Sequence, residues 1–148
     1  MSIDIRPLRE EDHDVAAHIW DAGRRSTGLV IPGSATEAQL RERIPREMAI
    51  GWDAHLAWRG DEAVGFLALK IKLQCLDQVF LLPEAQGQGI GRALFEFACA
   101  RMPEGFWLRA AADDKRACGF YEHLGCRPGE RARHPTLGYE TVVYRWTP

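Results

Sequence analysis

The sequence predicts an α/β or α+β domain built around one largely antiparallel sheet, and three observations support that class. Strand-like alternation and helix-like spacing of apolar residues follow one another in mixed order along the chain. The length of 148 residues suits a single domain over residues 1–148, and neither a repeat nor a linker divides it. A content of 46% hydrophobic and 27% charged residues is typical of a chain that folds around a core, which excludes a disordered tail or a coiled coil.

The first half of the chain predicts a strand, two helices and a strand hairpin. Apolar residues alternate in the strands and recur at helical spacing in the helices. An acidic first turn suits the first helix, Ser34 or Thr36 can cap the second, and Pro45 should end or kink it. The predicted elements are a strand at Ile3–Ile5, a helix at Glu10–Ala22, a loop at Gly23–Gly33, a helix from Ser34 or Thr36 to about Ile44, and strands at Ala54–Trp58 and Ala63–Ile71.

The second half predicts strands that alternate with two helices. Apolar residues recur every four positions in the first of these helices, and Asp114 can cap the second. The predicted elements are a strand at Cys75–Leu82, a helix that ends near Met102, a strand at Phe106–Ala110, a helix at Lys115–Leu124 and a strand at Thr141–Trp146. The aromatic segment Val142–Trp146 is expected to offer a free sheet edge, which makes a homodimer an expectation.

Charge and apolar run lengths exclude several classes of function. The formal net charge of −2 gives no basic balance, so no nucleic-acid partner is expected. The longest apolar runs, at Phe66–Leu69 and Val79–Leu82, are too short to span a bilayer, and no membrane partner is expected. The N-terminal segment carries no signal-peptide pattern, so the expected location is cytoplasmic.

The four cysteines do not have the spacing of a metal site. Cys75, Cys99, Cys118 and Cys126 form no Cys-x-x-Cys pair, and no histidine stands at ligand spacing beside them, so no metal is expected. Reduced and mostly buried thiols are the favoured interpretation. A nucleophilic cysteine paired with a distant histidine stays open as an alternative.

The most informative stretch is a glycine-rich segment between a strand and a helix. Val79–Pro83 ends the predicted strand, and Gln86–Gly91 leads into the helix. Glycines let a ligand approach the backbone, and the free amides of a first helical turn favour an anion such as a pyrophosphate. A Rossmann fingerprint fails because Arg92 stands at the place of its third glycine, and a Walker loop fails because its Lys-Ser/Thr end is missing. A strand-to-helix turn without a ligand is the alternative.

Two motifs resemble those of the GNAT superfamily of N-acetyltransferases. Gln86, Gly89 and Gly91 form the pattern Gln-x-x-Gly-x-Gly, with which this family holds coenzyme A. The segment Asp114–Gly125 resembles the second family signature, Asn-x-x-Ala-x-x-Phe-Tyr-x-x-x-Gly-Phe, and it follows the next strand as in the family. Asp114 replaces the usual asparagine and Cys126 the usual phenylalanine. The Asp114 carboxylate would stand near an anionic cofactor, and its other role is to cap the helix.

The resemblance implies a mixed, mostly antiparallel sheet with helices on both faces. Two parallel strands, Cys75–Leu82 and Phe106–Ala110, would splay apart, and acetyl-coenzyme A would enter the notch between them. Its pyrophosphate would lie on the glycine loop, and its pantetheine amides would bond the preceding strand. The residues that the resemblance implies as cofactor-binding are Val79, Phe80, Leu81, Gln86, Gly87, Gln88, Gly89, Ile90, Gly91, Arg92, Asp114 and Tyr121.

The implied reaction is transfer of an acetyl group from acetyl-coenzyme A to a primary amine of a small molecule or a peptide. Tyr121 matches the family tyrosine near the thioester sulfur and is expected to be the general acid. Asp77 is expected to be the general base, since acidic residues of this strand serve so in some relatives. Its alternative role is a solvated or ion-paired strand residue. His55 and then His134 are the other candidate bases.

Asp77 should share a face of its strand with the segment that binds the cofactor. Counting in steps of two places it with Cys75, Val79 and Leu81. Selection of the acceptor is expected from the Gly23–Gly33 loop, the second helix and the His134–Glu140 loop.

Two other functions are compatible with the same motifs. The chain could be a non-catalytic acyl-coenzyme A-binding sensor or interaction module with the same fold. A transferase that acts on charged transfer RNA would need a basic groove, which the net charge of −2 does not favour.

Overall fold

The computed structural model describes residues 2–148, so Met1 lies outside the described residues. Within that range, one seven-stranded sheet has the order β1-β2-β3-β4-β5-β7-β6. The strands are β1 (Asp4–Pro7), β2 (Asp53–Arg59), β3 (Glu62–Lys70), β4 (Cys75–Leu81), β5 (Phe106–Ala111), β6 (Arg127–Arg133) and β7 (Glu140–Trp146). Neighbouring strands are antiparallel except β4 and β5, which are parallel. The predicted mixed, mostly antiparallel sheet is confirmed.

Helices cover both faces of the sheet, as predicted. They are α1 (His13–Arg25), α2 (Glu37–Ala49), α3 (Ile90–Arg101) and α4 (Lys115–His123), and short 3-10 turns lie at Glu10–Asp12, Ile71–Leu73 and Pro83–Ala85. Helix α1 packs on β3 and β4 with α2 against it, α3 packs on β3 and β4, and α4 packs on β5 and β6. Neighbouring residues of β3 separate the two faces. Phe66 contacts Trp20 of α1, whereas Gly65 lies against Leu94 of α3. We call these the α1 face and the α3 face.

Helix α2 passes through its proline, so the predicted end near Ile44 is wrong. Thr36 caps the helix by accepting from the Gln39 amide at 3.2 Å, as the sequence suggests, but Pro45 lies inside it. Proline lacks the amide that would bond one turn back, which weakens an isolated helix. Ile44 is fully buried in the core, and this tertiary packing outweighs the local cost.

Strand β6 was not predicted, and it moves the edge of the sheet away from β7. Every residue of β6 is exposed, so the strand lacks the apolar alternation that marks a half-buried strand. Because β6 pairs with β7, the Val142–Trp146 segment is an interior strand and the predicted free edge there is wrong. The expected homodimer loses this basis and stays a prediction.

The core lies between the sheet and its helices. An aromatic cluster fills the α1 face, where the ring centroids of Trp20, Trp52 and Phe66 lie 5.5 to 5.8 Å apart. All four cysteines are free thiols, and burial raises the pKa of the Cys75 and Cys126 thiols to about 12. In the described range, no helix has the length and apolar character needed to cross a membrane.

Candidate active site

The centre of the sheet contains a notch. The parallel strands β4 and β5 are in register at Cys75 and Trp107, and the Trp107 amide donates to the Gln74 carbonyl at 2.9 Å. No further residue pair joins the two strands in residues 2–148, so they separate beyond this point. The side of β4 that faces β5 therefore has unpaired backbone groups, which an extended ligand can bond like an added strand. The resemblance implied such a splay, and the structure contains it.

A β-bulge in β4 decides where Asp77 lies. Strand β3 pairs Ala68 with Gln78 and then Leu69 with Leu76, so Asp77 is an extra residue on β4. The Trp52 indole, on the α1 face, donates to Asp77 Oδ2 at 2.9 Å. This extra residue shifts by one position the alternation of side chains between the two faces of β4.

Val79 and Leu81 lie on the other face of β4. Side-chain atoms of Leu81 pack near Gly65 and Gly91 on the α3 face, and Val79 shares that face two residues earlier. The prediction that Asp77 shares a face with Val79 and Leu81 is wrong, because one bulge residue reverses period-two counting. Asp77 shares the α1 face with Cys75, as expected.

Asp77 is held by one oxygen only. Lys70 Nζ lies 3.8 Å from Asp77 Oδ2, the oxygen that also accepts from Trp52, and 3.6 Å from Glu47 Oε2. Glu47 Oε2 is buried and has no hydrogen-bond partner among the described residues. Across residues 2–148, Oδ1 of Asp77 accepts no hydrogen bond. The geometry therefore fixes the carboxylate through one oxygen and leaves the other available.

The glycine-rich loop presents free amides. Gly87 and Gly89 have φ of +77° and +84°, and a Cβ at either position would meet nothing within 4 Å. Gly89 is the N-cap of α3 and offers no side chain to cap it. In the described part of the chain, the amides of residues 87–92 donate neither to a carbonyl nor to a side chain. Left-handed glycines, open space and an uncapped helix end fit a bound pyrophosphate.

Side chains fasten this loop from outside. Gln86 Nε2 donates to Ser26 Oγ at 3.0 Å, and Gln88 accepts from Arg59 at 2.8 Å. The Arg92 guanidinium bonds Glu96 on the surface of α3 at 2.9 Å. The loop is thus anchored through side chains while its backbone stays open. The other predicted cofactor residues lie around the notch: Phe80 on the α1 face, Leu81 on the α3 face, and Ile90 buried in the first turn of α3.

Helix α1 crosses β4 very closely at Gly23. A Cβ at this position would lie 2.8 Å from both the Leu81 carbonyl oxygen and the Phe80 Cβ. Only glycine fits there, because the nearest backbone atoms cannot move aside. Gly23 lies inside α1, so the prediction that a loop starts there is wrong.

Tyr121 and Asp114 lie on α4, on the α3 face. The Tyr121 ring is buried between Phe120 and Tyr144, with centroids at 5.3 and 5.9 Å. Burial, and then the nearby Cys126 and Asp114, raise the pKa of the Tyr121 phenol, so it stays protonated at neutral pH and can donate a proton. Asp114 Oδ1 accepts from the Ala117 amide at 3.1 Å, which is the predicted capping contact.

The two alternative bases, His55 and His134, form contacts within the fold. His55 is buried against Phe97 and bonds Asp53 at 2.9 Å, and desolvation by burial lowers its pKa. His134 Nδ1 accepts from the Leu137 amide at 3.1 Å and so fastens the turn between β6 and β7. Neither histidine contacts Asp77 in residues 2–148.

Two of the segments expected to select the acceptor meet each other. A Cβ at Gly33 would lie 3.3 Å from the Leu137 side chain, so the loop after α1 touches the β6–β7 turn. A cleft of about 510 Å³ lies between the end of α1 and residues 27–37. The Trp52 contact to Asp77 has no sequence signal, because 25 residues separate the two.

Comparison with known proteins agrees with the family and the fold. The sequence matches the acetyltransferase (GNAT) family over residues 15–126. It is 32% identical over 142 residues to the peptidyl-lysine N-acetyltransferase YjaB of Salmonella typhimurium, covering 93% of this chain and 92% of that protein. The Escherichia coli protein of the same name is 33% identical over 141 residues, covering 93% and 91%.

Solved structures show the same fold. The solution structure of apo YjaB from Escherichia coli matches with a TM-score of 0.77 at 24% identity, covering 99% of this chain and 98% of that one. A PaiA N-acetyltransferase from Thermoplasma acidophilum, solved in complex with coenzyme A, matches with a TM-score of 0.72 at 20% identity, covering 96% and 98%. The chain therefore belongs to the GNAT family and is an acetyltransferase.

Proposed function

We propose that the protein transfers the acetyl group of acetyl-coenzyme A to the side-chain amine of a lysine in a peptide or protein. One observation carries the proposal: the notch has an open amide cradle on its α3 face and a half-free carboxylate on its α1 face. The name of the YjaB relatives, peptidyl-lysine N-acetyltransferase, supports lysine as the acceptor. The expected cytoplasmic location stays a prediction.

The glycine loop would hold the cofactor by its pyrophosphate. The amides of residues 87–92 have no partner in the described chain, space is open beside Gly87 and Gly89, and the α3 dipole favours negative charge there. The unpaired side of β4 near Val79 and Leu81 would bond the pantetheine amides. When bound, acetyl-coenzyme A supplies the activated acetyl group, and the chain supplies its orientation within the notch.

Asp77 would act on the acceptor amine. A lysine amine has a pKa of about 10.4, so it must lose a proton before it attacks the thioester carbonyl. Asp77 Oδ1 would accept that proton, directly or through a water molecule, while Trp52 and Lys70 hold Oδ2. As the N–C bond forms, the C–S bond breaks.

Tyr121 would act on the leaving group. The departing coenzyme A thiolate needs a proton, and the Tyr121 phenol, whose pKa burial raises above its usual value near 10, is protonated at neutral pH. Asp77 and Tyr121 lie on opposite faces of the sheet, so the amine would enter from the α1 face while the thioester enters from the α3 face. The notch between β4 and β5 connects the two.

The Tyr121→Phe variant tests the general acid. We expect kcat for a lysine peptide to fall by roughly 10² or more, since acid catalysis contributes on that order. The Kd for acetyl-coenzyme A, measured by calorimetry, should change little because the ring is kept. Tyr144→Phe is the matched control: it removes the hydroxyl that donates to Glu122 at 2.6 Å, so it should lower stability more than kcat. Equal turnover by Tyr121→Phe and wild type would remove the assignment.

The Asp77→Asn variant tests the base. We expect kcat/KM to fall by roughly 10², because asparagine cannot accept the proton. The low-pH limb of the plot of kcat/KM against pH should also change shape. The Trp52 contact should survive on the amide oxygen. Asp61→Asn, in the β2–β3 turn, is the control for loss of an acidic charge. An unchanged pH profile would exclude Asp77 as the base. Binding of acetyl-coenzyme A without turnover of any amine would favour a sensor instead.

A further inference from the structure

Arg109 lies across the notch from Asp77. Cys75 and Trp107 are register partners of the parallel strands, and partners in register share a face. Asp77 stands two residues after Cys75 and Arg109 two residues after Trp107, and Asp77 lies on the α1 face with Cys75. Burial and then Asp77 raise the pKa of the Cys75 thiol, whereas Lys70 and Arg109 lower it. By register, the two residues therefore stand at one level on opposite sides of the opening.

The Arg109 guanidinium is exposed, pre-placed and unpaired. It stacks on the Trp107 ring at 4.9 Å from the centroid, and the Trp107 indole is fixed by donating to the Leu73 carbonyl at 3.0 Å. No carboxylate oxygen of residues 2–148 lies within 4.0 Å of it, Asp77 included. A guanidinium placed over an aromatic ring can still offer two of its N–H groups to a carboxylate.

Three other arginines already have carboxylate partners. Arg24 bonds the buried Asp21 at 2.9 Å, Arg131 pairs with Glu140, and Arg145 pairs with Glu130 at 2.7 Å. These contacts satisfy their charges within the fold. Arg109 differs from them, because its guanidinium lies over Trp107 beside the notch and forms no ion pair with a carboxylate of residues 2–148.

We propose that Arg109 selects acceptor peptides by binding the carboxylate of an acidic residue next to the target lysine. The inference rests on the proposed function and names its substrate class. The target lysine amine would lie at Asp77 on β4, and the peptide carboxylate would lie at Arg109 on the other side of the notch. The two peptide groups must therefore be farther apart than the spacing of paired strands, about 4.8 Å. An extended peptide advances about 3.3 Å per residue, so an aspartate or glutamate one or two positions from the lysine reaches Arg109.

The test compares two peptides that differ in one group. One carries aspartate next to the lysine and the other carries asparagine, and kcat/KM is measured for each with saturating acetyl-coenzyme A. For the wild type we expect the aspartate peptide to be preferred about three- to tenfold, as an exposed but pre-placed ion pair allows. The preference should lie in KM rather than kcat, and it should shrink as salt is raised.

Arg109→Ala should abolish the preference and leave kcat/KM for the asparagine peptide within about twofold. Arg109→Lys should restore part of the preference, because lysine returns the positive charge but lacks the two parallel N–H donors of a guanidinium. Arg109→Glu should reverse it, so that a peptide with lysine or arginine beside the target is preferred. Arg6→Ala is the matched control, since Arg6 also stacks on a strand tryptophan, Trp58, at 5.5 Å, but on the edge strand β1.

The outcomes distinguish a failure of the Arg109 proposal from a failure of the proposed lysine acetyltransferase function. If the wild type acetylates both peptides equally, or if Arg109→Ala keeps the preference, the role of Arg109 is wrong and the lysine transferase stands. If the wild type acetylates neither peptide but acetylates a small-molecule amine, both proposals fall. Circular dichroism checks that each variant is folded. Should Arg109→Ala lose its fold, Arg109→Gln provides the same comparison while keeping a planar group over Trp107.

Discussion

The N-termini of α3 and α4 differ in how their backbone amides are satisfied. Both helices lie on the α3 face, and the Phe120 ring of α4 lies close to Gly91 of α3, where an added Cβ would be 3.3 Å from it. Helix α4 starts after Asp114, whose carboxylate accepts from the Ala117 amide. Helix α3 starts after Gly89, which has no side chain to offer, and the amides of residues 87–92 have no partner in the described chain.

This difference indicates which helix end is built for a ligand. A helix end without a cap loses stability, typically about 1 kcal/mol, unless another group satisfies its amides. At α4 the chain provides that group itself. At α3 it provides glycines with left-handed backbone and open space, together with side chains that anchor the loop from outside. The uncapped end of α3 is therefore the better place for an anion, and the capped end of α4 is structural.

A substitution at the uncapped N-terminus of α3 should have the largest effect, and it should act on cofactor binding. In Gly89→Glu, a carboxylate would replace the open space at the α3 N-terminus, and a residue with a Cβ would have to adopt φ of +84°. We expect the Kd for acetyl-coenzyme A to rise by about 100-fold or more, a loss of about 2.7 kcal/mol. Isothermal titration calorimetry measures it directly.

Gly60→Glu is the control for Gly89→Glu. Gly60 has φ of +63° in the β2–β3 turn, and a Cβ there also meets nothing within 4 Å. The strain and the added charge are therefore similar, but the site is not at a helix end. Normal cofactor binding by Gly89→Glu would mean that the pyrophosphate lies elsewhere.

Breaking the capped end should have a smaller effect, and on stability rather than binding. Asp114→Ala removes the acceptor for the Ala117 amide, which should cost about 1 kcal/mol and lower the melting temperature by a few degrees. Asp114→Asn should restore stability, because asparagine caps helices equally well. The affinity for acetyl-coenzyme A should stay within about threefold in both variants, because the Asp114 carboxylate bonds an amide of its own helix. A tenfold loss of affinity in Asp114→Ala alone would instead show that Asp114 contacts the cofactor.

Much of the candidate site could be predicted because its signals are local. The glycine loop needs left-handed backbone and an uncapped helix end, and both requirements are visible in a few adjacent residues. The Asp114 cap is local for the same reason. The position of Asp77 could not be predicted from alternation, because one bulge residue, set by pairing with β3, turns its side chain to the other face from Val79. Strand β6 was missed because an exposed strand carries no apolar pattern.

The sequence by itself determined the order of most elements, the fold class and the glycine-rich loop that leads into α3. Each of these depends on short-range patterns: apolar periodicity, caps and glycines. Only the tertiary structure decided that β4 and β5 part after one register pair, that Trp52 and Lys70 hold Asp77, and that Arg109 lies on the strand across the notch from it. Those relations join residues far apart in the chain, and strand register, which is fixed by the packing of the whole sheet, brings them together.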